Sequence, residues 1–147
     1  MQKIGQMTVR PENRFTMEVI KEKLAVLYAD RTLQCVLLFG SLTSGRRHEQ
    51  SDIDLGFLFD GPVDILDVTN RVNRLLGSDN VDVVNLRRAS PLLKFAASRK
   101  GIILYERDPG LFSQFRSLAY RMYVDTRKLR DARNRVIEEF VQTRKMA

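Results

Sequence analysis

Phe39–Leu55 reads FGSLTSGRRHEQSDIDL, and its two ends belong to different predicted elements. It continues the apolar run Leu33–Phe39 (LQCVLLF), which is typical of a buried strand. It leads into Asp52–Phe59 (DIDLGFLF), which alternates at its start and predicts a second strand. The polar residues between these runs include Gly40 and Gly45, so we expect a loop there. The stretch therefore predicts a strand–loop–strand unit.

Two aspartates separated by one residue open the second predicted strand. Because side chains alternate along a strand, Asp52 and Asp54 should point the same way while Ile53 points into the core. Neighbouring carboxylates repel each other, so a cation should compensate their charge. Mg²⁺ suits this role, because it typically takes one or two carboxylates together with phosphate oxygens and water. The competing interpretation is an Asp-x-Asp sequence that only caps a turn.

A Gly-Ser pair stands ten residues before these aspartates. Gly40 allows main-chain N–H groups to approach an anion closely, and the Ser41 hydroxyl can donate a hydrogen bond to a phosphate oxygen. Ser51 has two interpretations, a hydrogen bond to the loop backbone or one to a phosphate. The combination of Gly-Ser, ten residues and Asp-x-Asp predicts a site for a nucleoside triphosphate and its magnesium ion.

A third acidic candidate, Asp82, lies near the start of the β-branched run Val81–Leu86 (VDVVNL). This run predicts a third strand beside the Asp-x-Asp strand. An aspartate in an apolar run is costly unless it is paired or bound to a metal. Asp82 would complete the metal site and accept the proton of an attacking hydroxyl. The alternative is an edge-strand aspartate that faces water.

The rest of the chain alternates helical and strand patterns. Apolar spacing predicts helices and short strands in the order α-β-loop-β-α-β-α-β-α, which indicates an α/β or α+β fold with a small sheet. The predicted helices cover about 12–31, 63–76 and 91–100, and a long helix begins at about 109, with Asp108-Pro109 as its start signal. Lys94, Arg99 and Lys100 are expected on a solvated helix face, with phosphate contact as the alternative.

Composition limits the possible function classes. The 147 residues suffice for one domain. Most of the net charge of +7 lies in residues 109–147, which contain nine Lys and Arg but only four Asp and Glu. That tail suits nucleic acid, an acidic protein partner or simply solvent. Cys35 is expected to be a buried, inert thiol. Neither a secretory h-region nor an apolar run of membrane-spanning length is found, so we expect a cytoplasmic protein.

These motifs together resemble the minimal nucleotidyltransferases (MNT) of the DNA polymerase β superfamily. The resemblance covers about Gln34–Tyr105, from the Gly-Ser and Asp-x-Asp motifs through VDVV to the segment PLLKFAASRKGIILYERDP. The long helical tail resembles that of the MNT antitoxins encoded beside HEPN-domain toxins. The resemblance implies a small mixed sheet flanked by helices, and one nucleotidyltransferase domain over 1–147 with its core at about 12–108 and its tail at about 109–147.

The same resemblance implies a reaction and a role for each motif. ATP would donate AMP to a tyrosine hydroxyl of a partner HEPN RNase toxin, and pyrophosphate would leave. Gly40, Ser41 and Ser51 would bind the triphosphate, Asp52 and Asp54 would hold Mg²⁺, and Asp82 would be the third metal-binding and catalytic carboxylate. Many members carry an arginine where this chain has Ser44, so Arg46 or Arg47 would contact the phosphates instead.

Three other functions remain open at this point. The chain could be a small-molecule nucleotidyltransferase of the aminoglycoside-modifying type, although only about forty residues remain for an acceptor domain. It could be an antitoxin that acts by binding alone, without catalysis. An RNA-directed transferase would fit the basic tail, but no aromatic-rich RNA platform accompanies that tail.

Overall fold

The computed structural model of the chain describes residues 16–40 and 53–145. Its elements are, in chain order, α1 (Met17–Lys23), a 3-10 helix (Ala25–Ala29), β1 (Leu33–Gly40), β2 (Ile53–Phe59), α2 (Ile65–Leu76), β3 (Val81–Asn85), α3 (Pro91–Lys100), β4 (Ile102–Glu106), α4 (Leu111–Asp125) and α5 (Arg127–Lys145). Within the described residues, no helix is both long and apolar enough to cross a membrane.

The four strands form one mixed sheet in the order β3-β2-β1-β4. β1 pairs antiparallel with β2 and with β4, whereas β2 and β3 run parallel. A parallel pair needs a crossover connection, and α2 supplies it between β2 and β3. The predicted fold class, a small mixed sheet flanked by helices, is confirmed.

Each face of the sheet packs against its own helices. Ile53, Leu55 and Phe57 of β2 belong to the larger apolar cluster, which also contains buried residues of α1 and α2. Leu58 belongs with Leu86 to a second cluster that α3 and α4 cover on the opposite face. Because side chains alternate along β2, Asp54 lies on the same face as Leu58, which is the face that packs against α3 and α4 nearer the other end of the strand.

Local signals fix the ends of α2, which forms the crossover. The Asp64 carboxylate accepts hydrogen bonds from the backbone N–H groups of Leu66 and Asp67 at 3.1 and 3.3 Å, so it caps the helix. The predicted glycine stop is confirmed, because Gly77 ends the helix with a φ of 64°, in the left-handed region. The helix therefore ends where its apolar stripe ends.

Two predicted helices differ from the observed ones. The helix predicted over about 12–31 is an α-helix only over Met17–Lys23 among the described residues and then continues as a 3-10 helix. Ile20, Leu24 and Leu27 are buried on both sides of the change, and the interval of three between the last two also fits the 3-10 period, so the apolar face continues into the core. The long final helix is also divided. It begins at Leu111 rather than beside Asp108-Pro109.

The division of the final helix lies at Thr126. Its φ of −93° and ψ of 0° leave the α-helical range, and its hydroxyl donates to the carbonyl oxygen of Met122 at 2.8 Å. The Arg130 guanidinium donates a hydrogen bond to the backbone carbonyl oxygen of Tyr123 at 2.8 Å. The same guanidinium lies 4.0 Å from the centre of the Tyr123 aromatic ring. These contacts join the end of α4 to the start of α5.

Replacing Gly56 by alanine should destabilise the fold. A Cβ at this position would lie 2.9 Å from Cδ1 of Leu86, which is fully buried and has little room to move. We expect a loss of about 1–3 kcal/mol in the free energy of unfolding, measured by urea denaturation. Gly61→Ala is the control, because nothing lies within 4 Å of its added Cβ. Equal stability of the two variants would contradict the tight β2 packing.

Cys35 should resist thiol reagents in the folded protein. It is 1% exposed, and burial, followed by the nearby Glu106 charge, raises its pKa to about 11. A raised pKa leaves less thiolate, so native labelling at pH 8 should be about a hundredfold slower than labelling in urea. Absorbance with a disulfide reagent measures both rates. Comparable rates in the two conditions would contradict the burial that the sequence predicted and the structure confirms.

Candidate active site

The described residues of the predicted site lie at one end of the sheet, where β1 finishes and β2 and β3 begin. Gly40, the last residue of β1, pairs with Ile53, the first residue of β2. Asp54 is then the register partner of Phe39 on one side and of Asp82 on the other. Strands in a sheet lie about 4.8 Å apart, so the two aspartates are immediate neighbours across the parallel pair. The end of β1 and the starts of β2 and β3 are therefore side by side at this end of the sheet, and they carry Gly40, Asp54 and Asp82.

The apolar neighbours of the two aspartates hold the backbone that carries them. Ile53 and Val81 precede Asp54 and Asp82, pair with each other, and are only 4% and 5% exposed. The Ile53 N–H also donates to the Asn80 carbonyl at 3.0 Å, which ties the start of β2 to the turn before β3. Ile53 and Val81 are thus buried on one face of the sheet, and the residues after them, Asp54 and Asp82, lie on the opposite face.

Burial differs between the two carboxylates. Asp54 lies on a central strand and is half-buried, whereas Asp82 lies on the edge strand and is exposed. Exposure alone also fits the alternative of an edge aspartate facing water. Two neighbouring carboxylates on one face nevertheless form the hard oxygen donor set that Mg²⁺ prefers. The chemistry of the described donors therefore fits a magnesium ion.

The remaining predicted site residues cannot be placed with these two. Ser41, Ser51 and Asp52 lie outside the described residues, as does the loop that carries Ser44, Arg46 and Arg47. Within ranges 16–40 and 53–145, no group of three His, Cys, Asp or Glu side chains forms a metal site. Asp54 and Asp82 are thus two members of a predicted trio, and the ligand roles stay predictions.

The expectation of a solvated face on α3 is wrong for one lysine. Lys94 is only 9% exposed, whereas Arg99 and Lys100 are exposed as expected. The sequence carries no local signal for this burial, because polar and apolar residues are hardly separated around α3; its buried residues are Lys94, Ala97 and Ser98. The lysine lines a groove at the other end of the sheet, where β2 and β3 finish.

Known proteins share both sequence and fold with this chain. The protein adenylyltransferase MntA of Aphanizomenon flos-aquae (strain 2012/KM1/D3) is 28% identical over 122 residues, which are 75% of this chain and 81% of the relative. A chain in the crystal structure of a toxin–antitoxin with AMP-PNP superimposes with a TM-score of 0.68 at 26% identity, over 86% of this chain and 99% of that one.

A third similarity concerns the fold alone. A chain in the complex of a tri-AMPylated Shewanella oneidensis HEPN toxin with an MNT antitoxin matches with a TM-score of 0.65 at 24% identity, over 86% of this chain and 99% of that chain.

The family profile described as polymerase beta, nucleotidyltransferase matches residues 20–110, which is more than half of the sequence. The chain therefore belongs to the polymerase beta nucleotidyltransferase family.

Proposed function

We propose that this protein is an antitoxin-type adenylyltransferase that transfers AMP from ATP to a tyrosine hydroxyl of a HEPN RNase toxin and releases pyrophosphate. The observation that carries the proposal is the register of Asp54 with Asp82 beside the end of β1. Similarity to a protein adenylyltransferase and to a toxin–antitoxin chain crystallised with AMP-PNP supports the choice of donor and acceptor class.

Each side chain has a defined task in the proposed reaction. Asp54, with Asp52 and Asp82, would hold Mg²⁺, which when bound neutralises triphosphate charge. The backbone at Gly40 and the hydroxyls of Ser41 and Ser51 would position the triphosphate. The tyrosine oxygen forms a bond to the α-phosphorus while the bond to pyrophosphate breaks. Asp82 is exposed and can accept the proton that the tyrosine loses.

The proposed docking surface for the toxin is the apolar stripe of α5. Leu129, Val136 and Phe140 are 71%, 66% and 60% exposed and follow at intervals of seven and four, so they share one face of the helix. Among the described residues of α5, none is buried. A contiguous exposed apolar stripe favours a protein partner, and the basic charge around it favours an acidic one.

The two carboxylates should be essential for AMP transfer. Asp54→Asn and Asp82→Asn each remove a proposed metal ligand, and the second also removes the proton acceptor. We expect each variant to lose at least about a hundredfold in rate. Labelled ATP, Mg²⁺ and a cognate HEPN toxin from the genome that encodes this chain provide the assay, with intact mass spectrometry of the toxin as the readout.

The control for this experiment is Asp67→Asn, an exposed aspartate of α2 on the other side of the sheet. It should transfer AMP at the unmodified rate. Transfer to an aminoglycoside or to RNA, with none to the toxin, would favour those alternative functions. Full toxin neutralisation by the Asp54→Asn, Asp82→Asn double variant would favour an antitoxin that acts by binding alone.

A charge placed in the α5 stripe should weaken the complex without unfolding the protein. Phe140→Asp removes an exposed ring, so thermal stability should change little, while affinity for the toxin should fall about tenfold or more. Isothermal titration calorimetry measures the affinity. Gln142→Asp introduces the same charge two residues away, on the opposite side of the helix, and should bind normally. Equal weakening by both variants would indicate a general charge effect.

A further inference from the structure

An open groove of about 490 Å³ lies on the outer side of α3 and α4, away from the sheet residues of the candidate active site. That volume is typical of a ligand-binding cleft. The groove is formed by side chains of these two helices alone, which are Phe95, Ser98 and Arg99 of α3 and Arg116, Ser117 and Tyr120 of α4.

The charge of this groove has a single sign. Arg99 and Arg116 are exposed, and within ranges 16–40 and 53–145 neither forms an ion pair. The described side chains that line the groove include no carboxylate. α3 contains no acidic residue, and the one acidic residue of α4 is Asp125, at its last position. Exposed arginines without acidic neighbours create a positive potential, which attracts a polyanion by charge complementarity.

Aromatic rings lie beside these arginines. The Phe95 ring stacks on the Tyr123 ring, with centroids 3.9 Å apart and planes 12° from parallel. The Arg99 guanidinium lies 5.6 Å from the centre of the Phe95 ring, so the cation is held next to the stacked pair. Tyr120 lies 6.3 Å from Phe95 at a tilt of 41° and is 59% exposed. Its ring is therefore the one that remains open to solvent.

The arginines and the open ring match the two parts of a nucleotide. Guanidinium groups bind phosphate oxygens with paired donors, and the exposed Ser117 hydroxyl can donate a further hydrogen bond. An exposed tyrosine ring stacks on a nucleobase. Bases inside a duplex already have both faces covered, so only an unpaired strand can use Tyr120. Unpaired bases are common in RNA loops and ends, whereas most DNA is paired.

We propose that the groove lined by Arg99, Arg116 and Tyr120 binds single-stranded RNA, with the arginines on phosphates and the Tyr120 ring against a base. This binding goes beyond the proposed AMP transfer and needs neither ATP nor a toxin. An acidic protein segment would also neutralise the arginines, but it gives no reason for the open ring between them. The sequence did not indicate this site, because only the packing of α3 on α4 brings Phe95 and Tyr120 together.

Fluorescence anisotropy of the isolated protein with a labelled, unstructured RNA of about twelve nucleotides tests the proposal. Arg116→Gln should lower the affinity about fivefold or more and reduce the slope of log affinity against log salt by about 0.7, because one phosphate contact is lost. Tyr120→Leu should lower the affinity by a similar factor but leave the slope unchanged, because stacking releases no counterions. Tyr120→Phe keeps the ring and should restore the affinity.

Arg74→Gln is the control for net charge, because Arg74 is an exposed arginine of α2 on the other side of the sheet, and this variant should bind RNA normally. Equal losses in Arg74→Gln and Arg116→Gln would overturn the proposal, since they would indicate attraction by the whole basic protein. Unchanged affinity in Tyr120→Leu would also overturn it, because a site that recognises charge alone suits an acidic protein segment. Equal binding of a duplex of the same sequence would do the same.

The substituted side chains are exposed, so the melting temperatures of all four variants should stay level. A loss of RNA affinity that follows a matching loss of stability would assign these residues to the packing of α3 on α4 and reject the RNA site. Because the assay contains neither ATP nor a toxin, absence of AMP transfer in the other experiment would leave this result unaffected.

Discussion

The parallel pairing of β2 with β3 is the constraint on which the candidate site depends. Because side chains alternate, a slip of one residue would turn Asp82 into the larger apolar cluster and expose Val81 on the other face. Burial of Ile53 and Val81 opposes that slip, and so does the close contact between Gly56 and Leu86. The same core that stabilises the sheet therefore also holds the two aspartates next to each other.

The strands and the neighbouring positions of Asp54 and Asp82 could be predicted because the sequence patterns that indicate them are local and recur from strand to strand. The apolar runs after Leu33 and after Asp52 are bounded by polar residues, and the strands end within one residue of the expected positions. Alternation then determines the face of Asp54, and a crossover helix between two short strands brings Asp82 beside it. The order of all four strands was not predicted, since periodicity does not encode which strands pair; only the neighbouring position of the second and third strands was expected, and the structure confirms it.

Other features depend on tertiary contacts that no local pattern encodes. α3 has almost no separation of polar from apolar residues, so the burial of Lys94 is decided by how α4 packs across it. The Thr126 interruption arises from hydroxyl and guanidinium contacts to Met122 and Tyr123, while the apolar spacing continues past it. The assignment of one domain with a core at about 12–108 and a tail at about 109–147 stays a prediction, as do the roles of the loop residues.

The edge position of β3 has a consequence for how the protein behaves at high concentration. An edge strand offers unpaired backbone donors and acceptors to the strands of other molecules, and proteins discourage such pairing with short edges and charged side chains. β3 has only five residues, and its second residue is the exposed Asp82. The carboxylate that we propose as the proton acceptor would thereby also oppose intermolecular strand addition, so the proposed catalysis and resistance to aggregation would both require an acidic residue at this position.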